Sequence, residues 1–237
     1  GKIQGQYFFK HLWIPALLTG VIVMLIAIQP DLGTAIMVFL IFLVFITAIE
    51  IDGAFLTKLF GTGIFLIPSL WFFLRDYQKQ RVMTLFNPEI DPLGAGYHSI
   101  QSKIAVGSGG FLGKGLFMGT QSRLNFLPEK HTDFIFSVFA EETGFIGVVL
   151  LLSIYLFIIL KGLNIAFHAR DRFGLFLALG IVSSISFYAL FNLGMAVGLF
   201  PVTGLPLPLV SYGGSSLVTN FFAFGLLLNI GMRRTIL

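Results

Sequence analysis

Apolar side chains in this chain come in long unbroken stretches, not in the alternation of a half-buried strand or the stripe of a half-buried helix. At about 1.5 Å of rise per helical residue, roughly 20 such residues cross the ~30 Å hydrocarbon layer of a bilayer. Stretches of this kind occupy Leu12 to Ile28, Leu32 to Ile49, Ala54 to Leu74, Phe134 to Leu160, Phe173 to Phe200 and Gly213 to Met232. They predict an all-α polytopic membrane bundle of about six transmembrane helices, organised as one transmembrane domain over 1–237.

Between the third and fourth stretches lies a long connection, Arg75 to Asp133. Irregular loops well beyond about 15 residues are functional or disordered, and the composition of this one argues against disorder. Tyr97, Ile100 and Ile104 recur at helical spacing with Gln101, Ser102 and Lys103 between them, which predicts a short amphipathic helix on the membrane surface. The glycine-rich "GSGGFLGKGLFMGT" follows at 107–120. A nucleotide phosphate loop would need Gly where Ser108 stands and Ser or Thr where Gly115 stands, so that reading is rejected. Two readings stay open: a flexible turn packed against the bilayer, or backbone N–H groups cradling a lipid phosphate.

Composition supports the membrane assignment: 56% of residues are hydrophobic, 28 are Phe, and the mean hydropathy is +0.92, too apolar for a soluble core. The chain opens at Gly1 without the apolar core and small-residue cleavage site of a signal peptide, and it reads as starting within a longer protein. With no cysteine there are neither disulfides nor thiolate metal sites. The net charge of +4 is scattered between crossings, which argues against nucleic acid as a partner. Short loops on one side carry Lys2, Lys10, Lys58, Lys161, Arg170, Arg172, Arg233 and Arg234, while those opposite carry no base. Basic loops stay cytoplasmic, so both ends of the chain are expected inside and Asp133 on the extracytoplasmic face.

Acids near the bilayer need a partner or a purpose, since a charge in hydrocarbon costs about 2.5–3.5 kcal/mol even on the lenient insertion scale. Asp31, in "IQPDLGTA", fits a helix N-cap and equally a salt bridge or substrate contact. Asp133 likewise fits a cap for a helix starting at Phe134, or a functional acid. Glu141 lies eight residues further on, roughly 12 Å along a helix axis. That exceeds the separation of about 5–9.5 Å between the paired carboxyls of a glycosidase. Glu141 and Glu142 are therefore read as structural, at least one of them facing the bundle and pairing there. His98 and His131 have no companion ligands and read as lone histidines. The stretch "PVTGLPLPLVSYGGSS", 201–216, cannot form a regular helix, and Ser211 through Ser216 could face a polar ligand there.

"QPDLGTA", "GYHSIQSKIAVGSGG", "LPEKHTDFIF" and Asn192 through Ser216 closely resemble the RodA/FtsW (SEDS) family of bacterial cell-wall proteins. "QSKIAVGSGG" and "GTQSRLNFLPEKHTDFIF" look more like its elongation type, RodA, than its division type, FtsW. The likeness runs the length of the chain and corresponds to the latter six of about ten helices. It implies an inner-membrane glycosyltransferase that polymerises lipid II, a lipid-linked disaccharide-pentapeptide, into glycan strands during elongation, alongside a class B penicillin-binding protein. The acid of the H-T-D-F-I-F motif is then the catalytic residue, which maps onto Asp133.

In that reaction a sugar hydroxyl attacks an anomeric carbon as a lipid diphosphate departs, so one base suffices, a role worth about 10²–10⁴ in rate. Arg81, Lys103 and Lys114 are the cations expected at the diphosphate, with Asp31, Gln101, Ser108 and Ser211 as further substrate contacts. A divalent cation, Mg or Mn, suits the same chemistry, although no ligand set and no other cofactor are visible in the sequence. Membrane lipids surround the whole. Two other readings fit the residues: a flippase for the lipid-linked precursor, with Ser183, Ser184, Ser186 and Asn192 lining a groove, and a non-catalytic scaffold for the penicillin-binding protein.

Overall fold

The computed structural model describes residues 12–29, 31–49, 57, 61, 71–72, 74–92, 94–123, 126–127 and 131–233. All regular structure among them is helical. The sequence reads as one domain over 1–237; in the structure the chain divides into two compact units, 1–79 and 80–237.

In the first unit α1 (Trp13–Ile28) and α2 (Leu32–Ala48) form a hairpin across a tight turn. Asp31 sets the start of α2: its carboxylate accepts from Thr34 N at 3.0 Å and from Thr34 Oγ1 at 2.7 Å. The capping alternative for Asp31 is thus realised, and among the described residues its carboxylate has no ion-pair partner. Replacing Asp31 with Ala is expected to lower stability by about 1 kcal/mol, the usual value of a lost cap, read as a small fall in the melting temperature of the full-length protein in detergent. The third expected crossing, Ala54 to Leu74, lies largely outside the described residues.

α3 (Asp76–Phe86) runs across the boundary in sequence. The second unit continues with a 3₁₀ turn (Pro88–Ile90), α4 (Ala95–Ser108), the single turn α5 (Thr120–Arg123), and three long helices, α6 (Ile135–Phe167), α7 (Arg172–Ala196) and α8 (Gly214–Met232). At 33, 25 and 19 residues, these last three are long and apolar enough to cross a membrane. α6 extends seven residues past the expected end at Leu160, and α7 stops four residues short of Phe200. Small residues are buried on both, Gly162 and Ala166 of α6 and Ala178 and Ala189 of α7, and Gly162 packs directly against Val182 of α7. Without a hydrophobic effect between helices in lipid, such close backbone approach is what drives packing. Phe157, Leu160, Phe221 and Phe222 point outward, as lipid-facing side chains do.

The helix expected around Tyr97 to Ile104 is present as α4, started by Asp91, whose carboxylate accepts from Gly94 N at 3.0 Å and Ala95 N at 2.8 Å. Its inner face is the small-residue one, Gly96, Ser99, Ser102 and Ala105, while Ile100 and Ile104 stay exposed. Ser102 donates to the Ala196 carbonyl at 2.7 Å, which leaves Ser137 as donor in the 2.6 Å contact between the two hydroxyls. α4 is thereby pinned to α6 and α7 at once.

α6 is not continuous. Gly144 sits at φ 66°, ψ −163°, a conformation essentially reserved for glycine. An unbroken helix would bond the N–H groups of Phe145 and Ile146 to the carbonyls of Glu141 and Glu142. Here those four groups turn instead to the glycine-rich loop. Phe145 N donates to Gly110 O at 2.9 Å and Ile146 N to Phe111 O at 3.3 Å, while Lys114 N donates to Glu141 O and Gly115 N to Glu142 O, both at 3.0 Å. The loop therefore replaces two helix rungs bond for bond. Gly113 (φ 78°) allows the approach, since a Cβ there would collide with the Glu142 carbonyl. Of the amides in 107–120, those of Lys114 and Gly115 are committed to α6 and are not open to a phosphate.

Candidate functional site

Asp133 stands one residue ahead of the α6 N-cap, Phe134, and the backbone around it is held from outside that helix. The irregular stretch between α7 and α8 grips the chain around it. Tyr212 N donates to His131 O at 2.8 Å, Ser211 Oγ to Thr132 O at 2.6 Å, and Asn192 Nδ2 to Asp133 O at 2.9 Å. Three successive carbonyls are thus held by three donors.

Each donor is itself fixed. Asn192 is fully buried in α7 and gives its second N–H to Leu205 O at 2.7 Å. Ser211 accepts from Leu207 N at 2.7 Å. Tyr155 of α6 donates from its hydroxyl to Pro208 O, tying the same stretch to the bundle. Phe134 and Leu127, both buried, pack with Ala105 and Met195 beneath. The half-buried Asp133 side chain emerges from this frame beside Gly204, where a Cβ would lie 3.5 Å from its Oδ2. At φ 70° Gly204 takes the left-handed backbone that favours glycine. Among the described residues two buried polar atoms near it, Asn192 Oδ1 in α7 and Thr203 Oγ1 in the stretch after α7, have no hydrogen-bond partner.

The other expected site residues separate into groups. Lys103, exposed on α4, lays its side chain across Gly198, so that Lys103 and Asp133 flank the two ends of the 198–204 stretch. Gln101 is half-buried on the same helix. Arg81 is exposed on α3. Ser211 is placed at Asp133, but its hydroxyl is used in holding the backbone. Asp31 belongs to the first unit.

Lys114 and Ser108 are drawn to another acid. Lys114 Nζ lies 2.7 Å from Glu141 Oε1, and Glu141 is completely buried. The same oxygen accepts from Thr120 N at 2.8 Å, Thr120 Oγ1 at 3.0 Å and Gln121 N at 3.2 Å, with Ser108 Oγ at 3.5 Å. Glu141 is thus the member of the pair that faces inward, and it ties the loop to α6 a second time. Sequence reasoning did not find Asn192 as the clamp on Asp133, nor Thr120 and Gln121 as the seat of Glu141. The only signal for the latter was a lone intramembrane acid in need of a partner. Among the described residues no group of three His, Cys, Asp or Glu side chains is placed to hold a metal ion.

Residues 5–236 match the family of cell cycle proteins that groups FtsW, RodA and SpoVE. Over 235 residues the chain is 49% identical to the peptidoglycan glycosyltransferase MrdB of Escherichia coli K12, covering 96% of this chain and 62% of that one. Over 161 residues it is 48% identical to the peptidoglycan glycosyltransferase RodA of Treponema pallidum, covering 68% and 37% respectively. Among solved structures, one of a peptidoglycan synthase complex that coordinates polymerization and crosslinking matches at 35% identity with a TM-score of 0.73, over 94% of this chain and 62% of that chain. The rod shape determining protein RodA of Thermus thermophilus matches at 31% identity with a TM-score of 0.59, over 93% and 56%. The chain therefore spans less than two thirds of the length of these relatives, and it belongs to the FtsW, RodA and SpoVE family of membrane-embedded cell cycle proteins.

Proposed function

We propose that the protein to which this chain belongs is a peptidoglycan glycosyltransferase of the elongation type, which polymerises lipid II with Asp133 as general base. The observation that carries this reading is the triple clamp on the carbonyls of residues 131–133, which fixes the backbone from which one half-buried carboxylate projects beside Gly204. A base that acts only in the transition state gains from such fixed placement. The acceptor sugar hydroxyl gives its proton to the Asp133 carboxylate as its oxygen bonds to the anomeric carbon. The bond from that carbon to the diphosphate breaks, and the lipid diphosphate leaves as the anion. Lys103, at the other end of the 198–204 stretch, is the cation best placed to meet the diphosphate, since Lys114 is committed to Glu141.

The positive-inside pattern supports an orientation in the bacterial inner membrane with both ends of the chain cytoplasmic and Asp133 outside. That face is where a class B penicillin-binding protein would meet the growing glycan. Labelled lipid II incubated with the full-length protein tests the proposal against its alternatives. Polymer is the expected product. Transfer between leaflets without polymer would replace it with the flippase reading, and neither polymer nor transfer would leave the scaffold reading. The serines expected to line a flippase groove are partly used up: Ser183 is buried, and Ser186 bonds back to Val182 O in its own helix at 2.7 Å.

A further inference from the structure

We propose that the end of the bundle opposite Asp133 holds an anionic phospholipid by its phosphate, in a cavity between the first turns of α7 and the last turns of α8. The cavity measures about 410 Å³. Its lining is of two kinds: Arg170, Arg233 and Asn229 supply donors, while Leu177, Leu226 and Ile230 supply apolar wall. A guanidinium presents a planar fork that meets two phosphate oxygens at once. Among the described residues neither arginine is in an ion pair. Asp171 also lines the cavity, but its carboxylate accepts from Gly174 N at 2.8 Å and so closes the N-terminus of α7. Two arginines against that one acid leave the lining positive.

The mixture of donors and hydrocarbon decides the class of ligand. Inorganic phosphate would meet the arginines and gain nothing from the leucines, whereas a phospholipid uses both. The cavity also opens where lipid is at hand, at the ends of helices that cross the membrane. On the other flank of α8 a second cavity of about 300 Å³ is lined by Lys161 and Asn164, so this end of the bundle is basic on both sides. Basic pockets between helices at the cytoplasmic face are where anionic head groups dock.

The test uses the full-length protein in phosphatidylcholine nanodiscs doped with a photoactivatable phosphatidylglycerol, with crosslinked peptides mapped by mass spectrometry. Crosslinks are expected on residues 170–177 and 226–233, competed by unlabelled phosphatidylglycerol and not by inorganic phosphate. Two basic side chains near a membrane surface together change occupancy roughly 30-fold, so Arg170→Gln with Arg233→Gln should lose the crosslinks by about that factor. Arg170→Lys with Arg233→Lys keeps the charge but gives up the fork, and should fall between the parent and the glutamine pair. That variant carries the test if the glutamine pair melts early. Equal crosslinking by a phosphatidylcholine probe, insensitivity to the glutamine pair, or a lysine pair as weak as the glutamine pair would each overturn the site. Competition by inorganic phosphate as strong as by phosphatidylglycerol would overturn the lipid as its occupant.

Discussion

Asp133→Asn in the full-length protein should lower the rate of glycan polymerisation by about 10²–10⁴-fold, the span that one positioned base supplies. The fold should survive the change. Three bonds that fix this segment run to the carbonyls of His131, Thr132 and Asp133, and asparagine leaves these three in place. Asparagine also keeps the size of the side chain beside Gly204 while being unable to take a proton. Lipid II should bind the variant nearly as well as the parent, because a group that acts in the transition state adds little to ground-state affinity. The measurement is polymer formed per minute beside a binding titration on the same preparation. Wild-type polymerisation by the asparagine variant would remove Asp133 from the chemistry. A parallel loss of binding and rate would make it a substrate contact instead.

The largest effect on stability is expected at the other acid. Glu141→Ala removes the acceptor shared by Lys114 Nζ, Thr120 N, Thr120 Oγ1 and Gln121 N. Breaking a buried ion pair from one side costs about 3–5 kcal/mol. Lys114 retains 29% exposure and can turn to water, which puts the expected loss near the lower end, about 3 kcal/mol. The neighbouring Glu142 is only half-buried and, among the described residues, its carboxylate accepts no hydrogen bond, so Glu142→Ala should stay within about 0.5 kcal/mol. Thermal unfolding of the two full-length variants in one detergent separates them. Indistinguishable melting temperatures would mean that the Glu141 network is not what holds the loop.

These two acids also mark how far the sequence could be read. The apolar runs around α1, α2, α6, α7 and α8 were legible because a bilayer imposes one length and one composition on whatever crosses it. The inward turn of one of the adjacent glutamates was legible for the same reason: the helix geometry puts them about 100° apart, and a charge in hydrocarbon needs a partner. What the partner was could not be read, since Lys114 and Thr120 lie 27 and 21 residues away in sequence and only the folded loop brings them in. The break at Gly144 was hidden in the same way. A single glycine inside an apolar run fits an unbroken helix as well as a broken one, and only the bonds to residues 110–115 decide between them. Asn192 had looked like the polar lining of a groove; its two amide hydrogens turned out to serve two backbone carbonyls of a loop that no periodicity describes.

The rungs missing at Gly144 bear on how the protein is made. Helix α6 kept in its broken form without the loop would carry two N–H groups and two carbonyls with no partner, each costing several kcal/mol in hydrocarbon. The segment that satisfies them, residues 110–115, precedes α6 in the chain and so leaves the ribosome first. By the time the translocon releases α6 sideways into lipid, its missing backbone partners are already outside the ribosome and waiting. A chain that delivered these parts in the opposite order would have to insert α6 as an unbroken helix and open two of its rungs afterwards, and this order of synthesis avoids that step.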